Sequence, residues 1–152
     1  MKEDLVNGTF KLADRIKELN GYDYVLIDAP PSLGILCLNA LIASDMVIVP
    51  VQVEFFALKG LTVMIELLDQ LAARGYNPKR RYLLTMCDNR RKLTELVSSK
   101  VRSAFGENVF KTTIPENVKL AEAPIQGKPI CAYDPAAFGA FAYDQLADEV
   151  LV

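Results

Sequence analysis

At 152 residues and 51% hydrophobic content, the chain is long enough for one compact domain with a real core and too short for two. Its formal charge of -2 gives no global sign of a nucleic-acid partner, and the absence of histidine excludes His-based triads, His-ligated zinc and histidine general bases within the chain. There is no signal peptide and no run of 18 apolar residues, and the opening MKEDLVNGTF is polar and acidic, so the expectation is a soluble, cytoplasmic protein.

In chain order, the pattern predicts an opening helix around Leu5 to Leu19, then a strand YVLID over 24–28 that ends on Asp28 and runs into the turn APPSLG. A second strand, MVIVPV, covers 46–51. The best helical period follows in ALKGLTVMIELLDQLAARG, where Leu58, Leu61, Ile65, Leu68 and Ala72 share one face and Gly75 supplies the stop. A third strand, RYLLTMC over 81–87, leads into a helix whose inward set reads Leu93, Val97, Val101 and Ala104, ended by Gly106. VFKTTI over 109–114 is the fourth strand. PENVKLAEAPIQGKPICAYDPAAFG is expected to be one long irregular stretch, since five prolines and glycines punctuate it before its final AAFG, and long loops in compact domains tend to be functional. A closing helix is expected around Ala136 to Leu151. The first three strands are nearly continuous in apolar character, as strands covered on both faces are, and strands alternating with helix-length crossovers mean parallel βαβ units. The fold class is therefore α/β, a layered sandwich.

Cys37, Cys87 and Cys131 are odd in number, widely spaced and set among apolar neighbours, so they read as core filler in a reduced chain. Asp28 ends a strand where open parallel sheets bind ligands, at the carboxyl edge; an aspartate there holds a magnesium-bound water or, as in many α/β proteins, caps a turn or helix. The charge is uneven. From Arg74 to Lys111 ten basic residues stand against three acids, a local +7 that leaves -9 for the rest.

YDYVLIDAPPSLGILCLNALIASDMVIVPVQVEFFALKGL resembles, nearly position by position, the Walker B region of the ParA/Soj partition ATPases, deviant Walker proteins whose family includes MinD. The matching elements are Asp28, Pro30 to Gly34, Asn39 to Leu41, Asp45 to Gln52 and Glu54 to Gly60. The resemblance continues through LLTMCDNRRKLTELV, VFKTTIPENVKLAEAPIQGKPICAYDP and GAFAYDQLADEV to the end. It implies the C-terminal part of a P-loop NTPase-like parallel sheet with helices on both faces, from the Walker B strand onward. The family's Gly-rich phosphate loop is not found in this sequence: the only Gly-Lys pair, Gly127-Lys128, is followed by Pro129 and has no upstream glycine at the required spacing. In the family the strand before that loop lies between those matching YVLID and VIVPV.

The resemblance makes Asp28 the magnesium-associated acid and places Pro115 and Asn117 beside the adenine, with a helix-capping Asn as the alternative. It allows Asp88 a nucleotide contact or a helix-cap role, and puts Gln52 and Glu54 on the family's dimer face. Arg90, Arg91, Lys92, Lys100 and Arg102 match a surface that binds DNA without sequence preference; a solvated basic face is the alternative reading. ATP, magnesium, a closed dimer on the nucleoid and a centromere-binding partner are implied for the intact family. The chain alone is expected to hydrolyse no ATP and to self-associate. No membrane role is expected, because LADEVLV lacks a basic amphipathic extension. Two other readings stand beside this one: a naturally truncated, non-catalytic module that pairs with full-length relatives, and an unrelated α/β enzyme with Cys87 or Cys131 as nucleophile.

Overall fold

The computed structural model describes residues 10–54 and 57–151, so the first turns of the expected opening helix and Phe55 and Phe56 lie outside the described residues. The backbone packs as two compact units, Met1–Val47 with Met64–Lys79, and Ile48–Val63 with Arg80–Val152.

In the first unit, helix α1 (Lys11–Lys17) packs on α2 (Ile35–Ala43). The contact is pinned by one buried amide: Asn39 Oδ1 accepts from the Leu12 N–H at 3.3 Å while its Nδ2 donates to the Ile35 carbonyl at 2.9 Å. A buried amide left half-paired would be costly, so Asn39 fixes how α1 sits on α2. Cys37, Ala40 and Leu41 are buried on α2, and Phe10 meets Tyr76 with ring centroids 5.7 Å apart.

The segment 24–28 is not a strand. Among the described residues it joins none of the three strands of the sheet, and Tyr24, Val25 and Leu26 are 58%, 44% and 90% exposed. The expectation fails for a physical reason: β propensity measures how well side chains fit a pleated, half-buried surface, and a strand without a neighbour has no such surface.

The sheet, which belongs to the second unit apart from Met46, Val47 and Lys79, runs in the order β1-β2-β3, with β1 at Met46–Gln52, β2 at Lys79–Cys87 and β3 at Val109–Pro115; β2 and β3 are parallel. Helix α3 (Ala57–Ala72) connects β1 to β2, and α4 (Lys92–Phe105) connects β2 to β3. Both expected stops hold: Gly75 follows α3 at φ +90° and Gly106 caps α4 at φ +53°, conformations that a Cβ disfavours. Strand alternation sorts the core. Leu83, Phe110 and Ile114 face Ala142 and Leu146 of the last long helix, Phe138–Val150, while Tyr82 on the other face stacks on Phe105 at 4.1 Å. On α4 the buried line is Thr94, Val97 and Val101; Leu93 and Ala104, expected inside, are exposed. Val97 and Val101 are inside as expected, and at the start of the helix Thr94 takes the inward place instead of Leu93.

Residues 115–139 are not a loop. They fold as α5 (Val118–Glu122), a 3-10 turn (Ala123–Gln126) and α6 (Ile130–Tyr133), and lead into α7 (Phe138–Val150). The prolines do not break these helices but stand at their starts: Pro124 is the second residue of the 3-10 turn and Pro129 is the N-cap of α6, positions where no N–H is missed. Ala123, Ile130, Ala137 and Ala140 form a small core there, with Leu120 and Tyr133 against it. The helices meet closely at Gly139, where a Cβ would lie 2.6 Å from Leu120 Cγ. Gly139→Ala gains about 1 kcal/mol of helix propensity, but overpacking at a branch carbon costs about 1–3 kcal/mol. The expected result is a net loss of stability, seen as a lower urea midpoint.

Candidate functional site

Parallel strands deliver their carboxyl ends to one edge, and in the second unit that edge gathers most of the residues singled out by sequence. Cys87 lies opposite Pro115 in register, the Glu116 N–H donates to the Cys87 carbonyl at 3.1 Å, and the Val53 N–H donates to the Thr85 carbonyl at 3.1 Å. The ends of β1, β2 and β3 thus bring Gln52 and Glu54, Asp88, and Pro115 to Asn117 to a common rim. Gln52 and Glu54 are exposed on either side of buried Val53, as strand alternation requires. Pro115 is half-buried. Asn117 caps α5, its side chain accepting from the Lys119 N–H at 2.8 Å. Asp28 belongs to the first unit and is exposed.

Asp88 is the anchor of the rim. Its side chain is only 11% exposed and accepts from the Arg90 backbone N–H at 3.1 Å and from the Arg90 guanidinium at 3.0 and 3.2 Å. Arg91 Nε sits 3.2 Å from the same carboxylate, and Arg91 Nη2 lies 3.2 Å from Glu116. The Arg90 side-chain bond, with its backbone bond and the two nearby guanidinium charges, holds the Asp88 carboxyl below its ordinary range, and the Asp88 partner raises Arg90 in turn. Two cations and two anions therefore neutralise each other. Lys92 and Lys100 are exposed and form no ion pair among the described residues.

Arg102 does something else. Its guanidinium donates to the carbonyls of Phe110 at 3.1 Å and Lys111 at 3.3 Å. Between Tyr82↔Val109 and Leu84↔Thr113 the partner strand advances two residues while β3 advances four, so β3 carries a bulge at this point. Glu149 of α7 completes the same bulge from the amide side, accepting from Lys111 N–H at 2.7 Å and Thr112 N–H at 3.0 Å, with Arg81 Nη2 3.4 Å away. Burial pushes the Glu149 carboxyl up, but the Thr112 and Lys111 donors and the Arg81 charge outweigh it and leave it lowered. Sequence reasoning missed Glu149 entirely. It also missed Met86, which sits in the left-handed region at φ +55° where β2 slips register one residue before Cys87. A non-glycine residue held there at a sheet's carboxyl edge is local strain next to Asp88.

Of the three cysteines, Cys37 and Cys87 are buried and Cys131 is exposed, so the core-filler reading fails for Cys131. Burial pushes the Cys37 thiol up; it raises Cys87 too, against weaker opposite pulls from the Thr113 hydrogen bond and the Arg102 charge. Raised thiols are poor nucleophiles, which weakens the cysteine-enzyme alternative for Cys87.

A cavity of about 310 Å³ lies between α4 and the sheet, lined by Leu84, Cys87, Asn89, Thr94, Ser98 and Arg102 among others. Neither Asp28, Pro115 nor Asn117 lines it. Among the described residues no group of three or more Cys, Asp or Glu converges as a metal site. Magnesium takes six oxygens, chiefly from water and phosphate, and one exposed carboxylate at Asp28 does not fit it alone. Among the described residues no helix is long and apolar enough to cross a membrane.

Residues 3–82 match the family described as AAA domain. The chain is 47% identical to the chromosome-partitioning ATPase Soj of Thermus thermophilus, over 97% of this chain and 63% of that protein. It is 44% identical to the chromosome partitioning protein ParA of Caulobacter vibrioides, over 94% and 55% respectively. The sporulation initiation inhibitor protein Soj of Bacillus subtilis is 48% identical over 85% of this chain and 52% of its own length. The chain thus spans about half to two thirds of the length of these relatives. Among solved structures, cobyrinic acid a,c-diamide synthase from Mycobacterium smegmatis with bound ADP and magnesium superposes with a TM-score of 0.72 at 29% identity, over 94% of this chain and 52% of that one. A plasmid partition protein from Borrelia burgdorferi bound to AMPPNP gives 0.78 at 22% identity, over 94% and 55%, a likeness of fold alone. With the parallel α/β sheet and nearly half of its residues shared with Soj and ParA proteins along almost its whole length, the chain belongs to the ParA/Soj-type family of AAA-domain partition ATPases.

Proposed function

We propose that this chain is the Walker B to C-terminal portion of a ParA/Soj-type partition ATPase, one that serves segregation of a chromosome or plasmid in the cytoplasm, on the nucleoid, with a centromere-binding partner. The observation that carries this reading is the 44–47% identity with ParA and Soj over 94–97% of the chain. Residues 1–152 are taken as one portion of the ATPase domain. Asp28 is its magnesium-associated acid, to be completed by phosphate oxygens. Asp88, Pro115 and Asn117 lie on the nucleotide side of the rim, and Gln52 and Glu54 on the dimer side.

The chain alone hydrolyses no ATP in this reading, because the sequence holds no phosphate loop to cradle the triphosphate and the Asp28 carboxylate has nothing to act on. Purified protein incubated with ATP and magnesium is expected to release no phosphate above a protein-free blank. Magnesium-dependent turnover that disappears in Asp28→Ala would overturn this part.

DNA binding runs through Arg90, Arg91, Lys92 and Lys100, weakly and without sequence preference, while Arg102 is committed to β3. Support comes from the exposure of all four cations on one strand-to-helix connection and its helix. Arg90→Glu with Arg91→Glu is expected to lower affinity equally for unrelated duplexes and to flatten the plot of log affinity against log salt by about 2 units, one per lost phosphate contact. A double variant that binds as the parent does would leave the cluster a solvated face.

A further inference from the structure

Two cations of the basic cluster that looked open in sequence are paired in the structure, and the anion they share is one carboxylate. Two guanidiniums, Arg90 and Arg91, converge on Asp88, whose oxygens receive Nε and Nη2 of the first and Nε of the second within 3.0–3.2 Å. Two arginines around one anion form the fork that also receives a phosphodiester, since carboxylate and phosphate present the same paired oxygens to guanidinium. The two ends of this contact differ in exposure. Asp88 is 11% exposed and fixed by the Arg90 backbone N–H, whereas the Arg90 and Arg91 side chains are 90% and 60% exposed. The anion is thus the fixed part and the cations are free to swing outward.

We propose that Asp88 is an internal stand-in for a DNA phosphate: it holds Arg90 and Arg91 in a preformed anion fork and, by occupying it, suppresses DNA binding until the carboxylate is withdrawn or neutralised. The inference rests on the DNA reading above and adds its regulation. Glu116 acts in the same direction on Arg91, from 3.2 Å, so the four side chains together carry no net charge toward solvent. Exposed ion pairs are individually weak, so a polyanion can compete with them, and the suppression is one of degree. The rim position of Asp88 gives the device an input. A ligand at the carboxyl edge of the sheet that draws on Asp88 releases the arginines on the same connection.

The test is Asp88→Asn, which keeps the side-chain oxygen that accepts from the Arg90 N–H but removes the charge. A short fluorescein-labelled duplex is titrated with parent, Asp88→Asn, Glu107→Gln, the Arg90→Glu/Arg91→Glu pair, and that pair combined with Asp88→Asn. Glu107→Gln is the control for one lost negative charge, because Glu107 is exposed and forms no ion pair among the described residues. Asp88→Asn is expected to tighten binding about threefold or more, beyond what Glu107→Gln does. In the arginine double variant Asp88→Asn is expected to give no such gain. If the arginine pair leaves binding unchanged, the DNA reading itself fails. If the arginine pair weakens binding but Asp88→Asn gains no more than Glu107→Gln, or gains equally without the arginines, the DNA reading stands and the stand-in role is overturned. Circular dichroism melting of each variant separates loss of fold from loss of binding.

Discussion

Glu149→Ala is expected to destabilise the protein by about 2–4 kcal/mol, far more than a helix-surface glutamate normally does. The side chain is near the end of α7, yet it closes the bulge in β3 by accepting from two consecutive backbone N–H groups and faces Arg81, whose guanidinium lies 4.0 Å over the Phe110 ring. Truncation leaves those amides without their acceptor. It also leaves Arg81 without its carboxylate, and the Arg81 Nε is already buried with no partner. Phe110, fully buried beneath, depends on the same arrangement. The effect has a pH signature of known sign. The folded Glu149 carboxyl titrates below its unfolded value, so its contribution is complete above the ordinary glutamate range and is lost as the pH falls through the lowered folded value. Urea unfolding at neutral pH and below about pH 4 should therefore show the parent losing more stability on acidification than Glu149→Gln. Equal losses would remove Glu149 from the account of the bulge.

That clasp also marks the limit of what the amino-acid order reveals. β2 and β3 lie where RYLLTMC and VFKTTI place them, because short apolar runs bounded by turn residues are local signals that survive in any neighbourhood. That Asp88 follows one strand and Pro115 stands at the end of another was legible for the same reason; that the ends of β2 and β3 meet on one rim comes from the structure. Glu149 was invisible, since its partners are 37 and 38 residues away and its helix pattern marks it only as polar. The carbonyl partners of Arg102 were invisible for a related reason: a cation counted in a charge run says nothing about which backbone carbonyls it meets. Leu93 shows a smaller failure. Its apolarity predicts burial, but helix phase is set by which residues fit the sheet, and there Thr94 fits better. Residues 24–28 failed most plainly, because apolar, β-branched residues predict a strand only where another strand is present to pair with it.

Leu26→Lys is expected to abolish self-association of the parent chain, weakening it by about two orders of magnitude or more. Tyr24, Val25 and Leu26 form consecutive exposed apolar positions, the last of them 90% exposed, on a stretch that joins no strand among the described residues. Such a stretch is a template for another chain, both through its side chains and through backbone groups outside any sheet ladder. A second copy is the occupant we propose, because a twofold contact uses the segment twice, so that each stabilising contact counts double. Burying one leucine is worth about 1.5–3 kcal/mol, and two copies give about 3–6 kcal/mol, enough for the expected factor. Because Leu26 is already exposed in the single chain, lysine there costs the fold little, and the change is read in association alone. Multi-angle light scattering at micromolar concentration should find the parent larger than one chain and Leu26→Lys at the mass of one. A parent that runs as a compact monomer, or a variant that assembles as the parent does, would show that this segment is not the contact.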